Sequence, residues 1–151
     1  KKTKKKLDIR VKYSSLSNIS IPSKDSTALI DEFPILSIAA ACGNGKMSMK
    51  GLGELRYKES NRFLAIELGL KRCGINIKAI KDNLEIIGRK TVVGGCEIES
   101  KGDHRIAMAF NILNLVSEKP IKIIGNNSIV TSFPSFFNIF KKLGISIKPH
   151  E

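Results

Sequence analysis

The sequence predicts an α+β fold assembled as an α/β repeat, with short strands and helices alternating in two similar units. Three observations predict it. First, Lys71-Arg72-Cys73-Gly74-Ile75-Asn76-Ile77-Lys78 and Lys141-Lys142-Leu143-Gly144-Ile145-Ser146-Ile147-Lys148 share one pattern at an offset of 70 residues. Second, stretches of helical period stand between short apolar or alternating runs, so helices are expected to cover one face of small sheets. Third, 151 residues with 42% hydrophobic and 26% charged side chains suit one compact globular unit that needs no staples.

The elements follow in chain order. Residues 1–6 hold five lysines and no apolar side chain, and read as a disordered basic tail. Strand material is expected at 7–13 and 18–21, then a helix over 33–41 and a strand over 46–50 that ends at Gly51. A second helix spans 60–73 with Phe63, Ile66 and Leu70 as its apolar stripe. Gly74 reads as the left-handed residue that closes it before strand 75–78. The series then restarts. Strands are expected at 84–88 and 96–98, and a helix over 103–116 is striped by Ile106, Ala109, Phe110 and Leu113. Strand 120–124 ends at Gly125, and helix 134–143 carries Pro134 in its first turn. Gly144 then closes it before strand 145–148. The unit reads β-β-α-β-α-β, present over 7–83 and 84–148.

Net charge is +12, which ordinarily points to nucleic acid, a membrane surface or an acidic substrate. Without the first six residues it falls to +7, from 21 basic against 14 acidic side chains. The 20 Lys to 6 Arg and 22 Ile to 5 Val further indicate a biased coding composition. Charge alone therefore decides little. No apolar run approaches the roughly 18 residues that span a bilayer, so no membrane association is expected. Cys42, Cys73 and Cys96 are widely spaced with no C-x-x-C pair, which argues against a disulfide framework or thiolate metal site and suits a reducing cytoplasm. The chain starts at Lys1 rather than Met with no signal peptide, and reads as a fragment.

Three segments place charge at predicted helix mouths. In Lys58-Glu59-Ser60-Asn61-Arg62 the two cations lie four apart and are expected to share a helical face. Cations at a helix N-terminus oppose its dipole, so they favour an anionic ligand there, although a solvated charged turn is the plainer alternative. In Asp103-His104-Arg105, Asp103 reads as the N-cap and Arg105 as a fork for a carboxylate or phosphate, while His104 suits an ordinary surface imidazole. Asp31-Glu32 precedes a helix started by Pro34, either as an acidic cap or as a carboxylate that takes a proton from a hydroxyl. Equivalent positions in a repeated unit favour convergence of the three on one anion site.

These residues resemble the EPSP synthase (3-phosphoshikimate 1-carboxyvinyltransferase) family. The carrying motifs are Asp31-Glu32-Phe33-Pro34, Leu55-Arg56-Tyr57-Lys58-Glu59-Ser60-Asn61-Arg62, Asp103-His104-Arg105-Ile106-Ala107-Met108 and Thr131-Ser132-Phe133-Pro134. The resemblance runs over nearly all of 7–148 and matches about the last third of a full-length member. It implies an inside-out α/β barrel domain of the enolpyruvyl transferase type. The implied reaction moves the enolpyruvyl group of phosphoenolpyruvate to the 5-hydroxyl of 3-phosphoshikimate, through a tetrahedral adduct, without metal or organic cofactor. By motif position Asp31 would hold and deprotonate the hydroxyl and Glu59 would be the acid/base at the methylene carbon. Lys58 would bind 3-phosphoshikimate beside Asp31, while Arg62 and Arg105 would clamp phosphoenolpyruvate. The resemblance also implies a monomeric, cytoplasmic full-length enzyme. A chain lacking the facing domain is expected to be inactive alone.

Two positions depart from the family pattern. Asn61 stands where many members carry Asp, which is expected to deprive Arg62 of a neighbouring partner. Thr131 stands where some members carry Lys, and the T-S-F-P form resembles the class II branch. UDP-N-acetylglucosamine enolpyruvyl transferase is an alternative of the same fold with different motifs. A basic nucleic-acid-binding module is an alternative of another class. With no Trp, 2 Tyr and 7 Phe mostly in helix stripes, the sequence lacks a stacking platform for bases.

Overall fold

The computed structural model describes residues 8–89 and 91–145. In chain order the elements are α1 (Ser23–Ser26), a 3₁₀ turn (Ile30–Glu32), α2 (Phe33–Cys42), β1 (Lys46–Met49), a second 3₁₀ turn (Gly53–Tyr57), α3 (Arg62–Arg72), β2 (Asn76–Ile80) and β3 (Asn83–Ile87). They continue with β4 (Val92–Gly94), β5 (Glu97–Glu99), α4 (His104–Asn114), β6 (Ser117–Lys119), β7 (Lys122–Ile124), α5 (Asn127–Ser132) and α6 (Phe136–Lys142). The mixed helix and strand content is that predicted, and the main helices α2, α3 and α4 fall close to the ranges expected at 33–41, 60–73 and 103–116.

Those three helices pack on one another, and the strands lie against them. Phe33, Ile38 and Ala41 of α2 join Phe63, Ile66 and Leu70 of α3 and Ile106, Phe110 and Leu113 of α4 in one core. Burial of such side chains is worth about 1.5–3 kcal/mol each. At the α3–α4 crossing Gly69 lies under the Phe110 ring, so a Cβ at position 69 would run into it. Gly69→Ala is therefore expected to cost about 1–3 kcal/mol, since overpacking outweighs the helix propensity gained. A lowered urea midpoint at unchanged slope is the reading that checks this.

β1, β3 and β2 form an antiparallel sheet in that order, with Met47, Ile86 and Ile77 side by side on its buried face. Two parallel pairs, β4–β6 and β5–β7, continue the strand layer. The strand predicted to open the second unit at 84 is β3. It pairs with β1 and β2, so it shares a sheet with strands of the first predicted unit.

Both predicted closing glycines behave alike. Gly74 has φ +82° and Gly144 φ +79°. In each case the next N–H bonds five residues back, Ile75 to Leu70 O at 3.0 Å and Ile145 to Phe140 O at 2.9 Å.

Other expectations are corrected. Residues 8–13 form no strand; Ile9, Val11 and Tyr13 are 84%, 86% and 98% exposed, because among the described residues no strand pairs with them. Residues 18–21 reach the sheet only through a bridge of Ile21 to Met49. α3 begins at Arg62 rather than 60, because Asn61 Oδ1 accepts from Leu64 N at 3.0 Å and fixes the helix start there. α6 begins at Phe136, leaving Pro134 in the preceding turn. The tail at 1–6 and the strand at 146–148 lie outside the described residues.

Candidate active site

The mouths of α2, α3 and α4 meet around one guanidinium. Arg62, the first residue of α3, is fully buried. Its Nε donates to Asp103 Oδ2 at 2.8 Å and its Nη1 to Asp31 Oδ1 at 2.8 Å. Its Nη2 donates to Glu59 Oε2 and, at 3.4 Å, to Asp103 Oδ1. Buried charge is tolerated only when paired and hydrogen-bonded, and here three carboxylates meet that demand.

Asp31 sits in the 3₁₀ turn that feeds α2. Glu32 stands at the N-cap position of α2, but its side chain makes no capping hydrogen bond there, and Asp31 turns to Arg62 instead. Asp31 Oδ1 also lies 3.7 Å from Lys58 Nζ, and its main-chain O accepts from Arg105 Nη1 at 2.9 Å. Arg105 further reaches Glu32 Oε1 at 3.3 Å. Partial burial works against the charged carboxylate of Asp31. Lys58, Arg105 and Arg62 outweigh it and hold its pKa below the ordinary value.

Lys58 and Arg62 do not share a helical face as the spacing suggested. Lys58 follows the second 3₁₀ turn in extended backbone, and the two cations meet through Asp31 instead. Lys58 also pairs with Glu54 Oε1 at 2.8 Å. That hydrogen bond leads the effects that raise its pKa. Asp31, Lys58, Glu59, Arg62 and Arg105, all predicted from the sequence, thus form one cluster. Asn61 withholds no partner from Arg62, whose N–H groups are met by Asp31, Glu59 and Asp103.

Asp103 does more in the cluster than its cap position in the sequence reveals. It caps α4, accepting from Arg105 N at 3.0 Å and Ile106 N at 3.4 Å, and it also holds Arg62 and Ser60 Oγ while fully buried. Burial alone would raise its pKa, but the Arg62 hydrogen bond and charge bring it below 3.8. A carboxylate lowered on folding contributes stability that is complete above its unfolded pKa and is lost as pH falls through the folded value. Acid unfolding curves are expected to steepen below about pH 4, and Asp103→Asn to flatten that dependence at the cost of neutral-pH stability.

A cleft of about 250 Å³ opens beside the cluster, lined by Asp31, Glu32, Pro34, Arg105, Met108 and Phe133 among others. Phe133 brings the T-S-F-P stretch to the site. Thr131 instead turns its hydroxyl back to Ser128 O at 2.8 Å, within its own helix. Three cations, Lys58, Arg62 and Arg105, face five carboxylates, Asp31, Glu32, Glu54, Glu59 and Asp103. These side chains are net negative together, so on their own they do not attract dianions.

Residues 2–140 match the family EPSP synthase (3-phosphoshikimate 1-carboxyvinyltransferase). The chain is 43% identical over 141 residues to the 3-phosphoshikimate 1-carboxyvinyltransferase of Rhodospirillum rubrum, covering 93% of this chain and 31% of that one. It is 43% identical over 136 residues to that of Petrotoga mobilis, covering 90% and 32%. A solved structure of EPSP synthase from Acinetobacter baumannii superposes with TM-score 0.84 at 39% identity, over 91% of this chain and 32% of that one. The enolpyruvyl transferase NikO from Streptomyces tendae shares the fold, with TM-score 0.67 at 17% identity, over 89% and 29%. This chain thus spans about a third of the length of the relatives it matches. The match over nearly its whole length, with the predicted motif residues gathered at the mouths of α2, α3 and α4, shows that the chain belongs to the EPSP synthase family.

Proposed function

We propose that the chain supplies one side of the active site of a 3-phosphoshikimate 1-carboxyvinyltransferase. The observation that carries this is the gathering of Asp31, Lys58, Glu59, Arg62 and Arg105 into one paired cluster beside a cleft that Asp31 and Arg105 line. In this reading phosphoenolpyruvate and 3-phosphoshikimate bind between this chain and the remainder of a full-length monomer in the cytoplasm.

The chemistry needs a proton delivered to the methylene carbon of phosphoenolpyruvate and one removed from the attacking hydroxyl. Glu59, half-exposed at the rim, delivers the first. Asp31 accepts the second. Its lowered pKa makes it a weak base while three cations surround it, and anionic substrates neutralise those cations and restore its basicity. Arg105 presents its guanidinium to the phosphoenolpyruvate anion. Arg62 is fully buried behind these carboxylates, so it binds ligand by exchanging Glu59 for the ligand carboxylate. That exchange also frees Glu59 to carry the proton. Lys58 turns from Asp31 and Glu54 to the hydroxylated ring of 3-phosphoshikimate.

The excess of carboxylates means that the facing domain must bring cations of its own. The 151-residue chain alone is expected to bind both substrates weakly and to release no phosphate. In the full-length protein, Arg105→Ala is expected to raise KM for phosphoenolpyruvate and Lys58→Ala that for 3-phosphoshikimate. Arg105→Ala is expected to lose about 2–5 kcal/mol of binding, as for a truncated partner of a desolvated charge pair. Steady-state kinetics with each substrate varied in turn tests the split, and unchanged KM values in both variants would remove the assignment.

A further inference from the structure

Away from the active site the fold brings together two thiols that the sequence keeps 23 residues apart. Cys73 Sγ and Cys96 Sγ lie 3.5 Å from each other, in direct contact. Cys73 is the C-terminal cap residue of α3 and is buried, whereas Cys96, in the link from β4 to β5, is partly exposed. Gly94 and Gly95, both left-handed at φ +65° and +69°, immediately precede Cys96. The main chain is held on both sides: Gly94 N bonds to Cys73 O at 3.4 Å, and Lys122 N to Cys96 O at 2.9 Å. The contact is therefore built into the joint between α3 and the strand layer.

We propose that Cys73 and Cys96 form a reversible dithiol modification site, which a hydroperoxide oxidises to a disulfide that ties the end of α3 to the β4–β5 link. The exposed member reacts first. The Cys96 sulfur attacks one peroxide oxygen and breaks the O–O bond. The displaced oxygen leaves as water or alcohol after taking the thiol proton, and Cys96 becomes a sulfenic acid. Cys73 then gives up its proton, and its sulfur attacks the Cys96 sulfur to form the S–S bond. The expelled hydroxide takes that proton and leaves as water. Two thiols are oxidised by two electrons and one hydroperoxide is reduced. Burial, then the hydrogen bond with Cys96, pushes the Cys73 thiol up, so the second step accelerates as pH rises. A reducing cytoplasm keeps the pair open and oxidative conditions close it.

The site is tested on the full-length native protein by peroxide titration, alkylation of remaining thiols and trypsin digestion without reductant. Cleavage after Arg72, Lys78, Lys90 and Lys101 puts the two cysteines on separate peptides, 73–78 and 91–101. The expected product is these two peptides joined, at a mass two hydrogens below their sum. It should be released by dithiothreitol and absent from Cys96→Ser. The join should form about tenfold or more faster in native protein than in urea, where the contact is lost. Recovery of both peptides separately alkylated would overturn the proposal. So would Cys96 carried on to sulfinic acid without joining, or joining no faster in the native protein than in urea.

Discussion

Arg62→Ala is expected to destabilise the fold by about 3–5 kcal/mol. The guanidinium is fully buried and ties the starts of α2, α3 and α4 together through Asp31, Glu59 and Asp103. Removing it leaves Asp103 buried without its counter-charge and the other two carboxylates repelling each other. Whole domains are stable by only about 5–15 kcal/mol, so this loss approaches the difference between folded and unfolded. Urea unfolding of the full-length protein reads it directly. Because Arg62→Ala can fail to fold, the double variant Arg62→Met with Asp103→Leu is the companion measurement. Replacing both partners removes the unpaired charge, and the double variant is expected to be more stable than Arg62→Ala. A midpoint unchanged by Arg62→Ala would show that the buried cluster does not join the helices.

Glu59→Gln has the opposite profile. Its side chain is half-exposed, and Arg62 retains Asp31 and Asp103 as partners when it is neutralised. Stability is expected to change by no more than about 0.5 kcal/mol. Turnover by the full-length protein is expected to fall about 10²–10⁴-fold, the value of a positioned acid/base group, and to fall in kcat rather than in KM. A kcat within a few-fold of the parent would remove Glu59 from the proton transfer.

How much of this was legible in the sequence depends on the range over which each feature acts. Helices α3 and α4 were legible because their stripes repeat within one helix, as with Phe63, Ile66 and Leu70. The closing glycines were legible because the left-handed conformation selects them locally. The charged motifs could be placed at helix mouths, and their equivalence in a repeated unit suggested convergence. What could not be read was how the charges pair. Asp103 shows its cap role at two and three residues' distance, but its hold on Arg62 spans 41 residues. The Lys58–Arg62 spacing misled because Asn61 starts the helix later, and four-residue spacing places side chains on one face only inside a helix. Residues 8–13 alternate like a strand, but alternation alone supplies no neighbour to pair with. β4, β5, β6 and β7 have three residues each, too few for a period to show. The Cys73–Cys96 contact follows only from how α3 meets the strand layer.

Phosphate release by the full-length protein, assayed beside the 151-residue chain with phosphoenolpyruvate and 3-phosphoshikimate supplied singly and together, tests the central claim most directly. Release is expected only from the full-length protein, only when both substrates are present, and is expected to be suppressed by Glu59→Gln. Release by the 151-residue chain alone, or none from a folded full-length protein given both substrates, would contradict it.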